Sequence, residues 1–388
     1  MGDLRAAQRT APVEIHHGAA RARSQGLRIG VHCHTVRVGD IKRKRQMGVR
    51  PLGAAVIGAG LSGAACARAL GEAGVDVRVF DKGRGPGGRL STRRADTPIG
   101  EARLDHGAQY LTARGAGFRA FLEEARAAGA AQPWTGRLVS IDRGGNILPL
   151  SEEARWVGAP AMNALVRFSL ADAALECGRR ATRLEGGPGA WTVRFEDGSG
   201  EGPFAAVALT LPPEQLVDLL ARTDADFSGL IVDARGALLA PCLAVMAVLG
   251  APFDPGFDGA KLHGGSLAWM ARNGSKPGRT GPEAWVLHAR HDWSRIHLED
   301  DPERVARALL EEAWVRFGLP KPVWAETHRW RYALAEAAPG TPFALDDSGT
   351  VGAGGDWRLG GRAECAWDSG HALGRALAEG LAAISLRA

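Results

Sequence analysis

The sequence predicts an α/β protein with a Rossmann-type nucleotide-binding segment near its start, and three observations carry that expectation. Between Ala54 and Arg94 an apolar strand, a glycine turn, a helix of small residues and a second strand follow in order. The second strand ends on an acid, Asp81. The 388 residues, 45% hydrophobic and 23% charged, suit a globular chain of two domains.

Ala54–Ile57 reads as a buried strand, and Gly58-Ala59-Gly60-Leu61-Ser62-Gly63 turns directly into a helix over Ala64–Ala73. Gly58 permits the tight turn, Gly60 admits a pyrophosphate close to backbone, and Gly63 lets the helix lie on the strand. Free N–H groups at the helix start favour an anion there. Val77–Phe80 then delivers Asp81 about 20 residues past the glycines, where an acid accepts from ribose hydroxyls. Lys82 to Arg93 is a second glycine-rich loop, and with Arg89 it suits the second phosphate or ribityl chain of an extended dinucleotide.

Further on, Leu104–Tyr110 reads as a short strand and turn, 117–130 as an amphipathic helix, and 134–150 as a hairpin turning at Arg143-Gly144-Gly145-Asn146. A helix is expected over 160–175, then strands near 181–184, 191–195 and 205–211 and a Pro-initiated helix over 214–220. Strands follow at 243–249, 267–272 and 285–289. Asp301-Pro302 caps a helix through Phe317, and a closing helix runs from about Ser369 to Leu381. There is no internal repeat.

Charge is unevenly placed. Residues 1–46 hold ten Lys/Arg against three acids, whereas the rest of the chain holds 38 against 40, so the net +5 does not describe the folded part. Nucleic acid is therefore not an expected partner. The leader is expected to be disordered, with Met47 as a natural start, and its His32-Cys33-His34 triplet fits no zinc spacing. The longest uncharged stretch, between Arg235 and Asp254, contains Pro241 and Pro252 and reads as strand rather than membrane span. Five scattered cysteines without a CxxC pair suit the cytoplasm.

Four more segments add a family likeness: Asp105–Arg114, Ala271–Arg279, His328–Ala333 and Gly355–Glu364. With them the chain resembles, from about Ala54 to Leu381, the bacterial renalase-like proteins of the flavin amine oxidoreductase superfamily. The resemblance implies a glutathione-reductase-like FAD domain from residues 50–110, 158–212 and 346–388, with an inserted α+β substrate domain from 111–157 and 213–345. The implied FAD residues are Gly58, Gly60, Leu61, Ser62, Gly63, Asp81, Lys82, Gly88, Arg89, Gln109, Tyr110, Ala181, Asp356 and Ala363. Tyr110 and Arg114 are the catalytic candidates. With Arg272, Asn273, Lys276, His288, His328 and Trp330 they are also the substrate candidates.

The implied activity is hydride transfer from abnormal dihydronicotinamide isomers to flavin, with O2 reoxidising it to peroxide. Two other readings stay open, an amine oxidase and a flavin-binding redox sensor without turnover. FAD is expected to be noncovalent, because the one late cysteine, Cys365, lies beyond Asp356.

Overall fold

The computed structural model describes residues 52–170 and 173–385. The expected leader, Met47 and the His32-Cys33-His34 triplet lie outside the described residues. The nucleotide segment forms the middle of an eight-stranded sheet. Leu52–Ile57 pairs in parallel with Val77–Asp81 on one side and Gly200–Leu209 on the other. Ala174–Cys177 and Val351–Gly354 extend the two sides in parallel, and Ala181–Gly187 and Ala190–Phe195 continue as an antiparallel ribbon. Central strands buried on both faces need the small and β-branched residues found here, and Ala54, Ala55 and Val56 are fully buried.

The first helix, Leu61–Glu72, begins at the glycine turn, and the closing helix, Ala363–Ser385, lies along it. Glycine makes the approach close enough. A Cβ on Gly63 would meet the Gly58 carbonyl oxygen at 1.8 Å, and one on Gly370 would meet the Ser62 carbonyl oxygen at 1.9 Å.

A seven-stranded sheet forms the second layer system, in the order Trp324–Ala337, Leu238–Val248, Ala284–Ala289, Leu267–Arg272, Gly259–Leu262, Leu138–Ile141, Ile147–Pro149. The helix Pro302–Phe317 covers one face, with Val305, Leu309 and Ala313 against Val245, Met270 and Leu287. Asp301 caps that helix by accepting from the backbone N–H of Glu303 and Arg304 at 2.9 and 3.2 Å. On the opposite face the register aligns His328, Ala244, His288 and Trp269 in one row across four strands. No described helix is long and apolar enough to cross a membrane.

Three expected elements differ, and the strand expected over Leu104–Tyr110 is instead the end of Gly100–Leu104. The helix expected over 160–175 is only Ala164–Ser169, because Ala174–Cys177 pairs with Val77–Asp81 as an edge strand. Tertiary pairing there overrides the helix preference of Ala and Leu. The closing helix starts at Ala363, not Ser369. The Ser369 hydroxyl donates to the Pro342 carbonyl at 2.6 Å and accepts from Gly355 N–H at 2.8 Å, so it ties two segments from within the helix rather than capping it.

Gly370→Ala should lower the unfolding free energy by about 1–3 kcal/mol in denaturant titration, through overpacking against Ser62. Gly71→Ala, helical, exposed and with open space around its Cβ position, should instead raise it by about 0.5–1 kcal/mol.

Candidate functional site

The glycine turn lies at the carboxyl end of Leu52–Ile57. Gly58 takes φ +109°, a conformation that favours glycine, and the Thr210 hydroxyl donates to its carbonyl at 3.1 Å. A Cβ on Gly60 would meet nothing within 4 Å, so backbone there is bare toward the cavity. Among the described residues no side chain caps the first helix and Ser62 Oγ is buried without a partner, and the helix's first turn holds no acid. Asp81 closes the arrangement by accepting from the N–H of Ala59 and Gly83, both at 2.6 Å, with one lone pair on each oxygen left for further donors.

These groups line one end of a cavity of about 1460 Å³ that runs to the seven-stranded sheet. Single small ligands occupy roughly 300–1000 Å³, so the space suits an extended cofactor with a second molecule. Gly58, Gly60, Leu61, Ser62, Asp81, Lys82, Gly88, Arg89, Gln109, Tyr110, Ala181, His288, His328, Trp330, Asp356 and Ala363 all line it. Gly63 sits behind, as its packing role requires.

Besides Gly63, four of the sequence candidates do not line the cavity. Arg114, 66% exposed, pairs with Glu153, so it is corrected from a catalytic and substrate candidate to a surface cation. Arg272 pairs with Glu283 at 2.8 Å. Asn273 is buried and spans two segments, accepting from Asp105 N–H at 3.1 Å and donating to the Arg103 carbonyl at 2.5 Å. Lys276, 2% exposed, is enclosed. Arg89 lines the cavity but its charge is matched, since it donates to both oxygens of Asp356, at 2.7 and 2.5 Å, and to the Ala333 carbonyl at 3.1 Å.

Behind the cavity wall lies an ionic cluster. Asp105, fully buried, accepts from Lys276 Nζ at 3.2 Å, Arg279 Nη2 at 2.7 Å and the Thr92 hydroxyl at 2.7 Å. Lys276 also donates to Gln109 Oε1 at 3.1 Å. Burial pushes the Asp105 carboxyl up, but Lys276, then Arg279 and Thr92, outweigh it and hold the group below the usual carboxylate range. Burial pushes the Lys276 ammonium down to about 8 against the pull of Asp105. The motif role of Asp105 and Arg279 escaped the sequence reading; the available signal was one acid in a glycine-rich apolar segment matched by two cations three residues apart.

The wall itself is aromatic. Tyr110 and Trp269 stand with ring centres 5.4 Å apart, and Trp330 stacks on His106 at 5.1 Å and meets His328 at 4.4 Å. Burial is the largest cause lowering all three imidazoles, holding His106 at about 3 and His288 at about 4, with His328 also below its ordinary value. His106 and His288 at this end of the cavity are therefore uncharged near neutral pH.

The whole lining holds twelve Lys/Arg against four Asp/Glu; eight of the twelve pair with carboxylates, and Lys82, Arg84, Arg94 and Arg167 have no such partner among the described residues. Among the described residues, fourteen buried side-chain N and O atoms have no hydrogen-bond partner and eight of these belong to lining residues, although Arg179 Nε and Nη2 each lie 3.8 Å from a carboxylate, of Glu176 and Glu201, and Arg362 Nη1 lies 3.0 Å from Glu364. Cations without a carboxylate partner beside bare glycine backbone suit an occupant rich in acceptors and negative charge. The glycine cradle, Asp81 and these cations fit a dinucleotide.

Residues 56–125 match the family described as NAD(P)-binding Rossmann-like domain. Among solved structures, the chain is similar to a putative protoporphyrinogen oxidase from Exiguobacterium sp. 255-15, at 13% identity and TM-score 0.63, covering 86% of this chain and 99% of that one. It is similar to cyclohexylamine oxidase from Brevibacterium oxydans IH-35A, at 15% identity and TM-score 0.65, covering 86% and 100%. A putrescine oxidase triple mutant with redesigned cofactor binding matches at 14% identity and TM-score 0.66, covering 87% and 99%. At these identities the likeness establishes the fold alone, mixed α/β with a Rossmann-like domain.

The cluster carries a pH signature. Lys276 binds its proton more weakly folded, at about 8, than at its ordinary 10.5. Between those values the unfolded chain holds more protons, so this group's contribution to stability rises with pH. The stability of wild type relative to Lys276→Met should therefore grow by about 2 kcal/mol between pH 7 and 9.5 in paired denaturant titrations.

Proposed function

We propose that this chain is an FAD-dependent oxidase that removes hydride from dihydronicotinamide nucleotides, the activity implied by its renalase-like motifs. Residues 50–110, 158–212 and 346–388 would hold FAD, and 111–157 with 213–345 would present the substrate. The single observation that carries this reading is the chemistry of the cavity: four lining cations, Lys82, Arg84, Arg94 and Arg167, have no carboxylate partner among the described residues, in a chain whose sequence from Met47 is slightly acidic. A dinucleotide together with a nucleotide substrate brings the matching phosphates.

The fit assigns parts to residues. The amides from Gly60 to Gly63 and the start of the first helix would receive the pyrophosphate, and Asp81 the adenosine ribose. Bound FAD supplies a hydride acceptor that O2 can reoxidise. Tyr110, Trp269 and Trp330 provide flat surfaces against which a dihydropyridine stacks and is oriented. Positioning of a donor that already gives hydride readily asks for no acid or base, which agrees with neutral His106 and His288.

An amine oxidase is the second reading, favoured by the same aromatic walls, since Trp and Tyr attract cations. The charge pattern weighs against it. Each lining carboxylate is engaged: Asp81 by backbone amides, Asp356 by Arg89, Glu196 by Arg180 and Asp218 by Arg222. Among the described residues no lining carboxylate is without a partner, whereas the lining cations Lys82, Arg84, Arg94 and Arg167 have no carboxylate beside them.

Anaerobic mixing of the yellow protein with an NADH preparation containing ring isomers should bleach the flavin, with peroxide formed on admitting air. Bleaching by primary amines instead would establish the second reading, and inertness to both would leave a binding or sensing role. Cys242, the cysteine lining the cavity, has its thiol pushed up to about 12 by burial, too high for ready attachment. Acid precipitation should therefore leave all the flavin in the supernatant, and a yellow pellet would contradict noncovalent binding.

A further inference from the structure

In the row His328, Ala244, His288 and Trp269, His288 has one ring nitrogen committed within the protein. Its Nε2 lies 3.1 Å from the His106 carbonyl oxygen and 3.5 Å from Gln109 Nε2. A carbonyl oxygen only accepts, so the shorter approach needs a hydrogen on Nε2. Gln109 does not compete for that position. Lys276 donates to Gln109 Oε1, which fixes the amide's orientation, and the two amide hydrogens are taken by the carbonyls of Asp105 and Gly107.

Burial, with smaller repulsion from Lys276 and His291, outweighs the His106 carbonyl and keeps the ring uncharged. A neutral imidazole with hydrogen on Nε2 carries a lone pair on Nδ1. Among the described residues Nδ1 has no hydrogen-bond partner, and His288 lines the cavity beside Trp269 and Gln109.

We infer that His288 Nδ1 is a hydrogen-bond acceptor that selects substrates offering an N–H beside the reacting ring, a primary carboxamide in preference to a carboxylate. This deepens, and rests on, the dihydronicotinamide reading above. A carboxylate would set lone pair against lone pair, and the ring does not protonate to relieve it near neutral pH. The Lys276 charge is paired with Asp105 and stands behind Gln109, so it offers the carboxylate no direct donor. A site built around one hydrogen bond rejects the analogue that cannot make it.

Two measurements test this. In protein labelled with 15N in its histidine rings, with the His288→Gln spectrum to assign the signals, His288 should show an unprotonated Nδ1 and a protonated Nε2. The opposite tautomer, or an imidazolium at pH 7, overturns the proposal. In anaerobic flavin reduction, the holoenzyme should prefer the dihydronicotinamide nucleotide over its dihydronicotinic acid counterpart by about 10- to 100-fold, mainly through KM. His288→Leu should bring that ratio within about threefold. An unchanged ratio in the variant overturns the assignment. Failure of both dihydropyridines to reduce wild-type flavin overturns the functional reading and removes the carboxamide as occupant. The tautomer measurement uses no substrate, so it distinguishes that failure from an error in the imidazole's assigned chemistry.

Discussion

Asp105 is the joint on which the cavity wall depends. One fully buried carboxylate gathers Thr92 from the loop after the glycine-rich segment and Lys276 and Arg279 from the loop of the second sheet. Through Lys276 it reaches Gln109, and through the Gln109 amide the backbone turn that carries His106 to Tyr110. Removing one partner of such a buried pair leaves an uncompensated charge and typically costs about 3–5 kcal/mol, although an apolar replacement of the whole set can be neutral. The cluster is therefore better understood as fixing a unique geometry than as supplying net stability. Asn273 reinforces it by bridging backbone on the same turn.

The cavity has two electrostatic zones. Around the glycine turn and its following loop, Lys82, Arg84, Arg89, Arg93 and Arg94 line the cavity; over the sheet, His288, His328, Trp269 and Trp330 present rings, with Arg329 and Arg331 interleaved on the edge strand. The register across the sheet produces the second zone. Paired residues in neighbouring antiparallel strands share a face, so a row of two imidazoles and an indole needs only three correctly spaced positions, with Ala244 leaving room between them.

Local chemistry made much of this legible in the sequence. The glycine spacing, Asp81, the Asp301-Pro302 cap and the strand Leu267–Arg272 each depend on residues close in the chain, and each appears where expected. What escaped depends on distant partners. Ala174–Cys177 is a strand because Val77–Asp81 offers it an edge, and Trp324–Ala337 is long because Leu238–Val248 pairs with it almost throughout. Among site residues, proximity in a motif misled: Arg272, Asn273 and Lys276 sit in one segment with Arg279, yet they pair inward with Glu283, Arg103 and Asp105 rather than facing the cavity. Arg114 follows Tyr110 by four residues, but the chain turns outward before it.

The clasp of Arg89 on Asp356 and the Ala333 carbonyl spans most of the described chain. The glycine turn lies far ahead in the chain of the acceptors that anchor Arg89, Asp356 being 267 residues beyond Arg89, and the central strand waits for Gly200–Leu209 to become its neighbour. Contacts so far apart in sequence form slowly. Enclosure of the cavity is therefore expected among the last steps of folding, after the local strand, turn and helix beside the glycines have formed.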